Sequence, residues 1–177
     1  MKEPSMDTHP YVKLATEAVH YFLLKRKLLP CPSPLPPDMD YRAGIFISIK
    51  IKKNNDLRGC IGTIESNQDN LAKEIIKNAV SAATRDPRFK PITIEELEKL
   101  SFSVDILSPL EPMNDSDKLN PRRYGLSIKS EGKQGILLPD LEGIDTPEKQ
   151  IAICLKKATI PKNLPYQMYR FEVKRYN

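Results

Sequence analysis

The sequence has few of the residues that build metal centres and disulfide frameworks. It contains no tryptophan, two histidines and three cysteines. His9 and His20 both lie near the N-terminus, so the chain cannot assemble a histidine-rich metal cage by itself. Cys31, Cys60 and Cys154 are an odd number without a CxxC pair, which argues against structural zinc and against a disulfide framework. We therefore expect reduced thiols, no metal and no cofactor.

Long apolar runs are also missing. The longest purely apolar run, residues 151–155, is far shorter than a membrane span, and residues 1–7 lack the apolar core of a secretory signal. The chain is 40% hydrophobic and 29% charged, as is typical of globular proteins. At 177 residues it is long enough to bury a core of its own. We expect a single domain that lies in the cytoplasm and does not bind a membrane.

Charge is not concentrated in one place. The chain has 28 Lys and Arg against 23 Asp and Glu, a formal net charge of +5. The basic residues form short, scattered clusters, which favours solvated faces over a nucleic-acid site. Glycine-rich phosphate loops and the aromatic-plus-basic strands of RNA-binding domains are absent. Nucleic-acid binding is therefore the least favoured function for this chain.

Apolar periodicity predicts the elements of the first half. A broad apolar arc over residues 71–84 indicates a helix that packs on more than one side and is central to the core. A capping box of Thr93 and Glu96 indicates a further short helix. The predicted elements are, in order, a helix at 11–28, a proline-rich connector at 30–37, strands at 44–52 and 57–64, helices at 71–84 and 94–100, and a strand at 102–107.

The second half has a similar order of elements. It contains predicted strands at 125–129 and 135–138, a helix from Glu148 with Cys154 on its apolar face, and a last strand around residues 169–173. We interpret this as duplication of a strand-strand-helix-strand unit. The predicted fold class is α+β with antiparallel sheets packed with helices. It has two lobes, at about 38–112 and 120–177, and the N-terminal helix packs on the core.

The stretch LRGCIG at residues 57–62 is the strongest candidate for a site. In a strand, Arg58 and Cys60 share one face, so the guanidinium can reach the sulfur and favour its thiolate. Gly59 and Gly62 indicate a bulge or a place where a backbone or a ligand comes close. The alternative interpretation is that Cys60 is a small buried hydrophobic residue and that the glycines accommodate the crossing helix.

Carboxylates and one further arginine complete the candidate site. Glu65 and Asp86 are candidate partners of the thiol, since no histidine is placed to act as its base. Pro87 fixes the corner from which Arg88 projects, either as an anion clamp beside Cys60 or as a lock for the turn with Asp86. Asp140 follows a predicted strand end in the second half, where binding residues often collect.

Several short motifs together resemble the AMMECR protein family. They are LRGCIG at 57–62, DPRF at 86–89 followed by a proline at 91, YGL at 124–126, GILLP at 135–139 and CLKKA at 154–158. The resemblance covers about residues 10–177 and implies a two-lobed α+β fold with antiparallel sheets. It also implies partners, since related domains occur with a Memo-like protein of the extradiol-dioxygenase type and with a radical SAM protein. Many members have glutamine where Asp140 stands.

Two functions stay open at this point. In the first, the chain is an enzyme or enzyme component. Arg58 and Cys60 carry its chemistry, and Gly59, Gly62, Glu65, Asp86, Arg88 and Asp140 help to bind a small anionic or electrophilic ligand. In the second, the chain is a non-catalytic module that docks on a Memo-like or radical SAM partner.

Overall fold

The computed structural model describes residues 8–177 and has mixed helices and two antiparallel sheets, so the predicted α+β class is confirmed. Residues 1–7, on which the secretory-signal prediction rests, lie outside the described part. No helix within residues 8–177 is long and apolar enough to cross a membrane. The helices are α1 (Pro10–Lys25), α2 (Leu71–Thr84) and α3 (Pro147–Ala158). The strands are β1 (Ile45–Ile51), β2 (Leu57–Thr63), β3 (Leu100–Leu107), β4 (Glu111–Met113), β5 (Gly125–Ser130), β6 (Lys133–Leu137), β7 (Gln167–Phe171) and β8 (Val173–Tyr176).

The chain divides into two compact units. Unit 1 extends to Ile106 and includes Arg175–Asn177, and unit 2 is Leu107–Lys174. The order strand, strand, helix, strand occurs in both, as β1-β2-α2-β3 and as β5-β6-α3-β7. An origin by duplication stays a prediction. The unit boundaries differ from the predicted lobes, because α1 and the last three residues belong to unit 1.

Unit 1 is built on a four-stranded sheet in the order β2-β1-β3-β8. The predicted period of two is present in β1, where Ile45, Ile47 and Ile49 are fully buried and the intervening residues are half-buried. The buried face packs against α2, and α2 packs in turn against α1. Ten of the fourteen residues of α2 are buried, which confirms that this helix is central to the core.

Unit 2 has a four-stranded sheet in the order β4-β7-β5-β6, with α3 packed on β5 and β6. Its core includes Leu126, Ile128, Leu137 and Cys154. Cys154 is fully buried, as predicted from its place on the apolar face of α3. Burial raises the pKa of its thiol to about 12, so this cysteine packs and does not react.

Three predicted elements are wrong in extent. The first helix ends at Lys25 instead of Leu28, because Arg26 takes the left-handed conformation (φ 56°) and its N–H bonds to the carbonyl of Phe22 at 2.8 Å. The helix predicted at 94–100 is only a 3-10 turn at Leu97–Lys99, because β3 pairs with β1 from Leu100 onward. The single last strand is in fact β7 and β8, which belong to different sheets.

Candidate functional site

The candidate thiol lies on β2, which forms one edge of the unit 1 sheet. Cys60 lies opposite Ser48 of β1, but the register shifts between Ile49 and Lys50, which lie opposite Gly59 and Leu57, so Arg58 is the extra residue of a β-bulge. The prediction that strand alternation places Arg58 and Cys60 on one face stays a prediction. Gly59 lies on the opposite face, which is covered by α2: a Cβ on Gly59 would overlap the carbonyl oxygen of Ala82. Cys60 therefore projects from the face that α2 leaves open.

The two glycines have packing reasons within the protein. Gly59 allows α2 to pass close to the strand, and a Cβ on Gly62 would overlap the carbonyl oxygen of Ile45 and the ring of Phe46. The protein's own atoms thus occupy the space beside both glycines, and Gly59 accommodates the crossing helix as the alternative interpretation expects. A ligand-binding role for Gly59 and Gly62 stays a prediction.

Cys60 is half-buried and its sulfur has a polar neighbour. Cys60 lies directly opposite Ser48 of β1, and the Ser48 hydroxyl donates a hydrogen bond to the sulfur at 3.4 Å. Ser48 in turn lies opposite Ser103 of β3. Three small polar side chains therefore form one row across the three strands at the level of the thiol.

Asp86 joins the thiol segment to the turn that follows α2. Its carboxylate accepts a hydrogen bond from the backbone N–H of Cys60 at 2.8 Å, and two from the Arg88 side chain at 3.0 and 2.7 Å. The Asp86 side chain is 3% exposed. The hydrogen bonds from Arg88 outweigh burial and hold the pKa of Asp86 well below its usual value. Asp86 is therefore an ionised, structural carboxylate that fixes Cys60 and Arg88 together.

Arg88 is the more accessible of the two arginines, with 56% of its side chain exposed. Its Nε and Nη2 bind Asp86, whereas Nη1 has no hydrogen-bond partner within residues 8–177. The hydrogen bond to Asp86 raises the pKa of Arg88. One edge of this guanidinium is thus held in place near the thiol, and the other edge is available to an anion.

Arg58 has a different environment. Its Nε and Nη2 bind the two carboxylate oxygens of Glu96, each at 3.1 Å, and its Nη1 donates to the carbonyl of Lys90 at 2.8 Å. All three nitrogens have protein partners, and only 14% of the side chain is exposed. Burial alone would raise the pKa of Glu96, but the hydrogen bonds from Arg58 and from the N–H of Thr93 outweigh it and lower the pKa. The arginine that the Asp86 carboxylate joins to Cys60 is Arg88, and the catalytic role of Arg58 stays a prediction.

The other predicted residues are more loosely connected to the thiol. Glu65 is exposed, two positions beyond the end of β2. Asp140 is an exposed residue of unit 2 with φ 56°, and its N–H bonds to the carbonyl of Pro121 at 2.9 Å. Within residues 8–177, no group of three or more His, Cys, Asp or Glu side chains is placed to hold a metal ion.

Sequence reasoning missed two side chains of this site. Ser48 lies within the strand predicted at 44–52, but nothing in the sequence marks it as a site residue, because the register of β1 against β2 cannot be read from either strand. Glu96 was assigned only to a capping box, and its bond to the N–H of Thr93 at 2.9 Å is present. Glu96 is also the partner of Arg58, which lies 38 positions earlier in the chain.

A separate depression of about 460 Å³ lies beside the β5–β6 hairpin in unit 2. Lys129, Lys133 and Tyr166 are among its lining residues, and none of the predicted site residues is. It has no concentration of reactive groups comparable with that around Cys60.

Comparison with known proteins places this arrangement in a family. A family model described as AMMECR1 matches residues 12–176. A protein of Thermotoga maritima is 42% identical over 170 residues, which are 95% of this chain and 97% of that protein. Protein CA_C1420 of Clostridium acetobutylicum is 41% identical over 94% of this chain, which spans only 36% of that longer protein. The crystal structure of the Uncharacterized Protein PH0010 from Pyrococcus horikoshii matches with a TM-score of 0.85 at 28% identity, covering 93% of this chain and 88% of that one.

Proposed function

The chain belongs to the AMMECR1 family, and we propose that within this fold the open face of β2 at Cys60 binds a small anionic electrophile, as the site of an enzyme or of one component of an enzyme. Cys60 supplies the nucleophilic sulfur and Arg88 contacts the anionic group. Asp86 holds the two in position.

One observation carries this proposal. The Asp86 carboxylate binds both the backbone N–H of Cys60 and the guanidinium of Arg88, so the backbone of the half-buried Cys60 and an exposed guanidinium are held by one carboxylate. A buried ionised carboxylate that served only to end α2 would not need to bind the neighbouring strand.

The chemistry of the two groups is complementary. A thiolate is the nucleophilic form of cysteine, and a nearby cation favours it. A guanidinium binds carboxylate or phosphate oxygens through its N–H groups, and its outward edge remains available after Asp86 has taken the other edge. The Ser48 hydroxyl, 3.4 Å from the sulfur, is a further hydrogen-bond donor to the negatively charged form.

The test compares an anionic with a neutral alkylating reagent on the native protein. Iodoacetate and iodoacetamide both transfer their carbon to the thiolate and release iodide, and peptide mass spectrometry separates Cys60 from Cys31 and Cys154. We expect Cys60 to react under native conditions and to prefer iodoacetate. In Arg88→Gln the ratio of the two rates falls about fivefold, as expected for the loss of one exposed interaction of about 1 kcal/mol.

Arg85→Gln is the matched control, since Arg85 is also exposed, lies three positions before Arg88 and makes no side-chain hydrogen bond within residues 8–177. It removes the same charge and should leave the ratio unchanged. A Cys60 that reacts only after denaturation would exclude the nucleophile. A ratio that is equal in wild type and Arg88→Gln would exclude the anion contact.

A further inference from the structure

The segment between α2 and β3 is tied to β2 at two separate places. At its start, Asp86 accepts from the backbone N–H of Cys60 at 2.8 Å. Further along, Lys90 and Glu96 accept from the guanidinium of Arg58. Arg58 and Cys60 are two positions apart on β2, so both ties reach the same short stretch of backbone, where the register of β2 against β1 shifts.

The tie at Arg58 is the more extensive. Its guanidinium binds a carboxylate through two parallel hydrogen bonds and a backbone carbonyl through a third, which is the arrangement in which Arg cannot be replaced conservatively by Lys. Glu96 is itself held by the backbone N–H of Thr93 at 2.9 Å. The pair therefore links the side of β2 to two points of the segment's backbone, at Lys90 and Thr93.

Each guanidinium nitrogen of Arg58 thus has a protein partner, whereas Nη1 of Arg88 has none within residues 8–177. Arg88 lies on the tied segment, between Asp86 and Lys90. Its place beside the thiol therefore depends on where the segment is held.

We propose that Arg58 and Glu96 are a positioning pair for the Cys60 site: they hold residues 86–96 against β2 so that Arg88 stays beside the thiol, and Arg58 does not itself contact the ligand. The geometry of this pair follows from the hydrogen bonds of residues 86–96. Its effect on the reaction of Cys60 rests on the proposed function. It assigns Glu96 to the site and gives Arg58 a role other than the catalytic one predicted from the sequence.

The experiment measures the same ratio of iodoacetate to iodoacetamide rates in Glu96→Gln, in Arg88→Gln and in the double variant. We expect Glu96→Gln to lower the ratio toward that of Arg88→Gln, about fivefold, although Arg88 is intact. The double variant should show no further loss, because both changes act through the same guanidinium. Glu98→Gln, an exposed carboxylate two positions along, is the matched control and should leave the ratio unchanged.

Arg58→Gln in the Arg88→Gln background separates positioning from contact. A positioning role predicts no further change of the ratio, and a direct contact between Arg58 and the ligand predicts a second fall. An unchanged ratio in Glu96→Gln, or a second fall in this double variant, overturns the proposal.

Hydrogen exchange of peptides that cover residues 58–62 and 86–96 provides a readout without any reagent. We expect exchange in both peptides to be about fivefold faster in Glu96→Gln and unchanged in Glu98→Gln, since a local opening is controlled by the contacts that close it. If Arg88→Gln leaves the alkylation ratio unchanged but Glu96→Gln speeds exchange, the proposed function is wrong. The conclusion that Arg58 and Glu96 hold residues 86–96 against β2 then still stands. If Glu96→Gln leaves exchange unchanged, the positioning pair fails whatever the thiol does.

Discussion

At the scale of single residues, Glu74 is the most constrained carboxylate of unit 1. It lies on α2 with 1% exposure and has no cation partner among residues 8–177, and its oxygens accept from neutral donors. The donors are the hydroxyls of Thr63 and Ser66, the backbone N–H groups of Asn67 and Gln68, and the amide of Asn78. Most of them belong to the stretch that follows β2, so Glu74 holds the backbone directly after the strand that carries Cys60.

Glu74→Gln should lower the free energy of unfolding at pH 7 by about 2–4 kcal/mol, because the new NH₂ group would face donors in a buried site. Urea denaturation measures the loss, and Glu17→Gln, at an exposed position of α1, should change little.

The pH dependence of this loss has a definite sign. Burial would raise the pKa of Glu74, but its hydrogen bonds outweigh burial and lower the pKa. The carboxylate's contribution is therefore complete above the unfolded pKa of about 4.3 and is lost as pH falls through the lower folded value. The difference between wild type and Glu74→Gln should shrink below about pH 4. A difference that grows in acid would contradict this account.

The sequence predicted part of the residue-scale site. Period two along β2 predicts one face for Arg58 and Cys60, but β2 has a register shift at Arg58 that its sequence does not reveal. The partners of those side chains were not predictable in the same way: Glu96 is 38 positions from Arg58, and Ser48 is 12 positions from Cys60. Such pairs depend on loop paths and on register.

At the scale of elements, the same close approach of helix and strand occurs in both units. An added Cβ on Gly59 of β2 would overlap the carbonyl oxygen of Ala82 on α2. An added Cβ on Gly135 of β6 would overlap the carbonyl oxygen of Cys154 on α3. In each unit, the strand that precedes the helix has a glycine where the backbones come nearest.

Gly59→Ala and Gly135→Ala should each lower the free energy of unfolding by about 2 kcal/mol or more, because the clash is with backbone that cannot rotate away. Ser101→Ala, at an exposed position of β3, is the control and should stay within about 0.5 kcal/mol. Denaturant unfolding of the three variants measures this. Stabilities equal to the control would show that the helices can move away at little cost.

Element types were largely predictable and element ends were not. The isoleucines of β1 and the apolar arc of α2 are signals within one segment, and both elements formed. The helix predicted at 94–100 had a genuine capping signal at Thr93 and Glu96. The helix does not extend to Leu100, because β3 pairs with β1 from that residue and places Leu100 opposite Ile51. Strand pairing is a non-local contact that outweighs a short helix's weak propensity.

At the scale of the whole molecule, the end of the chain returns to the first sheet. β8 is the neighbour of β3, and Arg175 binds both carboxylate oxygens of Asp105 at 2.7 Å. The Asp105 side chain is 1% exposed. Unit 1 therefore needs a residue from the C-terminal end of the sequence as the partner of one of its buried carboxylates.

Arg175→Ala should destabilise unit 1 by about 3 kcal/mol, because it removes the bidentate partner of a buried carboxylate. Arg123→Ala is the matched control: Arg123 also binds a carboxylate, that of Glu172 at 2.7 Å, but their side chains are 65% and 50% exposed. Its loss should leave the free energy of unfolding nearly unchanged. Hydrogen exchange of the β1 and β3 amides measures the effect in unit 1, and the pair Asp105→Asn with Arg175→Ala should recover part of it.

Membership in the AMMECR1 family applies to almost the whole chain, since the matched residues are 12–176. The Clostridium relative, of which this chain spans 36%, shows a similar segment within a longer protein. A Memo-like protein and a radical SAM protein as partners, the cytoplasmic location and the absence of a cofactor all stay predictions.

The sequence by itself determined what depends on neighbours along the chain: the α+β class, most strands, the main helices and the family. Only the tertiary structure decided that Asp86 hydrogen-bonds to both Cys60 and Arg88, and that Glu96 forms an ion pair with Arg58. It also showed that the glycines of β2 serve packing and that the last strand divides between two sheets. The reason is physical: periodicity and capping act within a few residues, whereas ion pairs and strand neighbours join segments that only folding brings together.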